Sequence, residues 1–181
     1  YSMKIKITGD RLRYESKRFY NIKIDSTLTS SNEGTVSEQF MELFKDSFKL
    51  RLRSDVEIGS CISGGMDSTS IASLASEQLH AENNRFRGVN FFYKGKTYDE
   101  REYVRLFAHE QNTEISYVTF SIEEMKNQIE KIIWHQDMPF VSTSIFAQWS
   151  VFRKAKEIGL KVMLDGQGAD ELFGGYDPFF Y

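Results

Sequence analysis

The residues able to do chemistry in this chain gather in two short glycine-rich stretches. The first is "SGGMDS", Ser63 to Ser68, and the second is "DGQGADE", Asp165 to Glu171. In the first, Gly64 and Gly65 let the backbone turn tightly and approach a ligand closely. Ser63, Ser68 and the neighbouring Thr69 add hydroxyl donors. A helix starting here would aim its unpaired N–H groups and the positive end of its dipole at the same spot. Together these make an anion cradle, and phosphate is its natural occupant.

A Walker A loop would carry a lysine after its second glycine. This loop has none, and an aspartate, Asp67, stands inside it. A carboxylate beside phosphates repels them unless a cation lies between. Asp67 is therefore a candidate Mg²⁺ ligand. The plainer alternative is a glycine-rich strand-to-helix turn with Asp67 as an N-terminal helix residue. The apolar run just before the hexapeptide favours the phosphate reading.

The second stretch repeats the pattern. Gly166 and Gly168 permit close approach, while Asp165, Asp170 and Glu171 supply carboxylates. Asp170 would complete a Mg²⁺ site with Asp67 if the strands leading to the two loops are neighbours. The alternative is capping by acidic residues at a helix N-terminus. Two such loops, each at a strand end, fit one shared nucleotide site better than two unrelated turns.

Both loops must be positioned by elements around them. Alternation over "MKIKITGDRLRY", residues 3 to 14, predicts a hairpin turning at Gly9–Asp10, too small to be stable alone. A polar connector, residues 25 to 35, follows. Thr35 and Glu38 form a capping box for a helix with Val36, Phe40, Leu43, Phe44 and Phe48 on one face. Strands are expected at 58–62, 86–92, 115–120 and 161–164. Between them, helices carry Ile71, Leu74 and Ala75, then Tyr103, Val104, Phe107 and Ala108. Ser121 and Glu124 open a helix with Ile122, Met125, Ile129 and Ile133 inward, and another runs through Ile145, Phe146, Trp149 and Phe152. Strands alternating with helices predict an α/β fold: a mostly parallel sheet with helices on both faces, preceded by the hairpin. In such a sheet ligands sit beyond the carboxyl ends of the strands, where both loops fall.

Bulk properties agree with a globular domain. The 181 residues are 40% hydrophobic and 27% charged, with a formal net charge of −3. No block of like charge suggests nucleic acid or a membrane surface as a partner. Cys61 is the single cysteine, so no internal disulfide forms, and its apolar surroundings predict an inert thiol. With no secretory signal and no bilayer-length apolar run, a cytoplasmic location is expected.

At these residues the chain resembles the synthetase domain of glutamine-dependent asparagine synthetases. "SDVEIGSCISGGMDSTSI" is similar to that family's pyrophosphate loop with its lead-in, and "GQGADELFGGY" to its second signature. "YDEREYVRLFAHEQNTEISYV" fits the segment between them. The resemblance covers roughly residues 35 to 181 and implies an adenine nucleotide alpha hydrolase-like (PP-loop ATP pyrophosphatase) fold. It implies ATP with its β- and γ-phosphates in the loop of Ser63, Gly64, Gly65, Asp67 and Ser68, and Mg²⁺ on Asp67 and Asp170. Adenine would lie near Ile62 and Val89 to Phe91. Asp99 or Glu100 would face the carboxylate substrate, with Gly168 and Asp170 nearby. Gly166, Gln167 and Gly168 would line the acyl-adenylate pocket, with Asp67, Asp170 and Gln167 as the catalytic set.

The implied reaction is adenylation of aspartate or another carboxylate, then attack by ammonia from glutamine, releasing pyrophosphate and AMP. Gln167 departs from the family's usual glutamate, and Glu57 from its usual proline, a change read as structurally minor. The resemblance makes residues 1–34 the tail of a glutaminase domain and 35–181 the first part of the synthetase domain. The expectation is therefore a fragment, lacking the family's lysine-bearing helical continuation and inactive in amide formation by itself. Phe173, Phe179, Phe180 and Tyr181 could drive self-association into a homo-oligomer. Competing readings are a fragment that binds Mg–ATP or pyrophosphate without turnover, and a related carboxylate amidotransferase or β-lactam synthetase-like ligase.

Overall fold

The computed structural model describes residues 1–29, 31–95 and 99–176. The chain divides into two compact units, residues 1–43 and 44–181.

In the first unit, β1 (Ser2–Thr8) and β2 (Arg11–Lys17) pair antiparallel, longer than the expected hairpin at both ends. Gly9 makes the turn at a φ of 58°. Because Ile5 faces Tyr14 and Ile7 faces Leu12, Met3, Ile5, Ile7, Leu12 and Tyr14 share one face. The polar connector contains one unexpected helical turn, α1 (Ser26–Thr29), opened by Asp25, whose Oδ1 accepts from the Thr27 amide at 2.9 Å. Helix α2 (Glu33–Arg51) begins two residues before the predicted Thr35. The capping box expected at Thr35 and Glu38 is not the start of the helix. Asn32 takes that place, its Oδ1 accepting from the Thr35 N–H at 2.9 Å, because Asn caps a helix at least as well as Thr. Of the predicted apolar face, Phe44 and Phe48 pack in the second unit's core, whereas Val36, Phe40 and Leu43 are exposed.

The second unit is a four-stranded sheet in the order β5-β4-β3-β6, with every pair parallel. Its strands are β3 (Ile58–Cys61), β4 (Arg87–Phe91), β5 (Glu114–Val118) and β6 (Val162–Leu164). These are the four expected strands, with ends shifted by one or two residues. Helices α3 (Met66–Ala81) and α4 (Arg101–Glu110) pack on one face, where Phe48, Ile62, Ala72, Ala75, Leu79, Val104 and Phe107 form a core. On the other face Val89 meets Val151, Ala155 and Leu160, brought by α6 (Ser144–Glu157) and the turn after it. Helix α5 (Ile122–Gln136) precedes α6, and the short α7 (Ala169–Phe173) follows β6. No helix among the described residues is long and apolar enough to cross a membrane.

The capping box at Ser121 is present as predicted: Ser121 Oγ accepts from Glu124 N at 3.1 Å, and Glu124 Oε2 accepts from Ser121 N at 3.0 Å. The inward face of α5 is rotated from the expected one. Ile132 is fully buried, while Ile122, Ile129 and Ile133 are exposed. Similarly, Tyr103 and Phe152 face outward, beside the buried Val104 and Val151. Glu57 is not idle. Its two oxygens accept from Arg87 at 2.8 and 2.6 Å, tying the starts of β3 and β4 together.

Candidate functional site

The phosphate-loop candidate leaves the sheet after Ile62. The Ile62 N–H donates to Val89 O at 3.0 Å, and its carbonyl accepts from the buried Asn90 Nδ2 at 2.7 Å. The backbone then reverses at Gly64, whose φ of 96° is the left-handed region that only glycine enters without strain. Gly65 is the N-cap of α3 and no side chain caps it. A long helix thus opens on a residue with no capping side chain of its own, an arrangement that favours an anion at its start.

The loop's two serines hold its shape. Ser68 Oγ accepts from Ser63 N at 3.1 Å and lies 2.8 Å from Ser63 Oγ, which in turn accepts from the Gly65 N–H at 3.1 Å. Ser68 is buried, as a residue with three such partners should be. Behind the loop, α4 presses on Gly64. A Cβ at that position would lie 3.0 Å from Glu100 O and 3.1 Å from Glu100 Cβ.

The second glycine loop arrives beside the first because β6 pairs with β3, with Ser60 Oγ also donating to Leu164 O at 3.2 Å. Gly166 lies against the backbone of Asp67 and Ser68, and a Cβ there would come 3.1 Å from Ser68 N. The two loops and the ends of β3 and β4 enclose an open cavity of about 520 Å³.

Of the residues predicted from sequence, Ile62, Ser63, Asp67, Ser68, Val89, Glu100, Gly166 and Gln167 line this cavity. Gly64 and Gly65 shape the loop without lining it. Gly168, at a φ of 97°, is the N-cap of α7 and stands outside the lining. Asp170 also lies outside it, and its carboxylate points at Gly175, where a Cβ would collide with Oδ1. Asp99 does not reach the cavity either, because its carboxylate is taken by Arg101. Phe91, named beside the adenine position, is joined in the wall by Phe92, Tyr93 and Val151, which sequence reasoning missed. Strand alternation beyond Val89 could have suggested Phe91 and Tyr93. Nothing local could have suggested Val151, which α6 brings from the far side of the sheet.

Two further lining residues, Cys61 and Asp165, are paired. Burial, and then the nearby Asp165 carboxylate, push the Cys61 thiol up to about 12, so it stays protonated and inert. At the next loop, Arg101 holds the Asp99 carboxyl below the usual carboxylate range. No group of three His, Cys, Asp or Glu side chains among the described residues forms a ready-made metal cage. That donor set fits Mg²⁺ bound with nucleotide, since Mg²⁺ takes one or two carboxylates and completes its shell with waters and phosphate oxygens. The exposed Asp67 on the cavity wall is such a carboxylate.

A sequence model of the asparagine synthase family matches residues 39–181. The chain belongs to the asparagine synthase family. It is 35% identical over 149 residues to asparagine synthetase (glutamine-hydrolyzing) 1 of Bacillus subtilis, covering 82% of this chain and 23% of the relative. It is 28% identical over 162 residues to a putative asparagine synthetase (glutamine-hydrolyzing) 2 of Methanocaldococcus jannaschii, covering 90% of this chain and 31% of that one. The chain therefore spans less than a third of the length of these relatives. Among solved structures, the U34-tRNA thiolase NcsA from Methanococcus maripaludis superposes with a TM-score of 0.56 at 18% identity, covering 75% of this chain and 47% of that one. That likeness concerns the fold alone, a parallel sheet with helices on both faces.

Proposed function

We propose that the cavity is the ATP site of an amide-forming ligase that adenylates a carboxylate, aspartate by family, and passes it to ammonia. The observation that carries this reading is the packing of Gly166 on Asp67 and Ser68, which closes both motif loops around one cavity.

The β- and γ-phosphates of ATP lie in the loop of Ser63 to Ser68, facing the uncapped start of α3. Adenine packs on the apolar wall of Ile62, Val89 and Phe91. Asp67 would hold Mg²⁺, which when bound neutralises charge on the phosphate oxygens. The substrate carboxylate attacks the α-phosphorus, and the bond to the β-phosphate oxygen breaks to release pyrophosphate. Ammonia then attacks the acyl carbon, loses a proton and expels AMP, leaving the amide. Glu100, Gln167 and Gly166 line the space where the acyl group forms, and Glu100 faces the acceptor. Most of the rate comes from orientation and fixed donors, since the protein supplies no covalent intermediate.

Residues 1–34 fit the tail of a glutaminase domain that supplies the ammonia, and 35–181 fit the first part of the synthetase domain. The hairpin's one apolar face supports this, because a two-stranded hairpin needs a partner surface to be stable.

The reading is tested by aspartate-dependent ATP–pyrophosphate exchange in the protein at its relatives' length. Exchange with aspartate is the expected result. Exchange with a different carboxylate alone would move the acceptor assignment, and none with any carboxylate would overturn the ligase reading.

A further inference from the structure

The N-terminus of α4 carries a cluster that the proposed chemistry does not use. Arg101 donates from Nε to Asp99 Oδ1 at 2.7 Å and to Oδ2 at 2.9 Å, and Nη2 also donates to Oδ2. The Arg101 backbone N–H donates to Asp99 Oδ1 at 3.2 Å. The guanidinium carbon sits 4.0 Å from the centroid of the Phe92 ring, just beyond the end of β4. Asp99 is thus consumed by Arg101 and does not face substrate.

Glu100 stands between these partners. It is the N-cap of α4 but makes no side-chain capping bond. What fixes the start of the helix is the Asp99–Arg101–Phe92 cluster. Glu100 packs against Gly64 so that a Cβ added to the glycine would lie 3.0 Å from the Glu100 carbonyl oxygen and 3.1 Å from its Cβ, with Val104 beside it. Gly64 is the left-handed residue at which the phosphate loop reverses.

We propose that Arg101 is a positioning residue: clamped by Asp99 and stacked on Phe92, it holds Glu100 against Gly64 and so fixes the shape of the phosphate loop. Its fork makes the bidentate bond and the ring contact at once, which a lysine ammonium cannot do. The pair is mostly shielded, with 28% and 25% of the two side chains exposed, so it is ordered better than a surface ion pair. For nucleotide binding the proposal rests on the reading given above. For loop geometry it does not.

Two readouts separate these parts. Amide hydrogen exchange over residues 62–68 reports the loop directly, without nucleotide, in the wild-type chain and in R101M, R101K and D99N. R101M and D99N should each speed loop exchange about tenfold, the double variant should add little more, and exchange across β5 and α6 should not change. R101K should restore only part of the protection. Mg–ATP titration of the same proteins should show affinity falling about tenfold in R101M with the melting temperature kept within about 3 °C. Faster loop exchange in a chain that does not bind Mg–ATP would support the clamp and count against the nucleotide reading. Unchanged loop exchange in R101M, or a loss of protection spread over the whole sheet, would overturn the clamp.

Discussion

Gly166 touches Asp67: a Cβ built on the glycine would stand 3.3 Å from the aspartate's own Cβ and 3.1 Å from the next backbone nitrogen. The contact joins residues about a hundred positions apart and exists because β6 lies beside β3. It sets the distance between the two motif loops, and so the width of the cavity they share.

Gly166→Ala should therefore push the loops apart. The nearest atoms are backbone, which gives way poorly. A cost of about 1–3 kcal/mol is expected, felt as at least an approximately tenfold loss of Mg–ATP affinity with the sheet intact. Calorimetric titration with circular dichroism checks it. Wild-type affinity in the variant would show that the loops do not act together.

Gly64→Ala meets two obstacles at once. It would hold alanine at a φ of 96° and place a methyl 3.0 Å from Glu100 O. Each contributes, and a destabilisation of about 2–4 kcal/mol is expected in urea denaturation. A change under about 0.5 kcal/mol would mean that the loop and α4 relax freely around each other.

Much of this arrangement was legible in the sequence. The apolar runs ending in Ser63 and Asp165 gave the strand ends, and helix-length segments between strands required parallel pairing. Ser121 and Glu124 were readable because both partners of a capping box lie within one turn. What failed depended on contacts that spacing does not carry. Asn32 and Thr35 are both competent caps, and only the chain's path decides between them. The face of α5 turns on whether Ile132 or Ile133 meets the core, a rotation of one residue. Asp99 looked free to meet substrate because nothing in the order "DER" says that Arg101 folds back onto it. Asp170 stands in the motif, but α7 directs its carboxylate toward Gly175, while Asp165 reaches the cavity.

Cys61 should resist alkylation. The free thiol titrates near 8.5, and burial with the Asp165 carboxylate raises it to about 12. Between those values the unfolded chain has lost a proton that the folded chain keeps. Stability contributed by this group is therefore complete below about pH 8.5 and declines as pH rises toward 12. Carbamidomethylation followed by mass spectrometry near pH 9 should run at least about a hundredfold slower in the folded chain than in urea. Asp165→Asn removes the second cause and leaves the first, so its rate should rise yet stay below the unfolded rate. Equal rates in folded and unfolded chains would contradict this account of the pair.

The central claim is that Asp67 stands in the loop to share a cation with phosphate. The most direct measurement is calorimetric titration of ATP into the chain with Mg²⁺, with excess chelator, and in the Asp67→Asn variant, each checked for an unchanged circular dichroism spectrum. Binding that weakens at least about tenfold on chelation, and by a similar factor in Asp67→Asn with Mg²⁺ present, is the predicted result. Equal affinity in all three, or no binding of Mg–ATP by the wild-type chain, would contradict it.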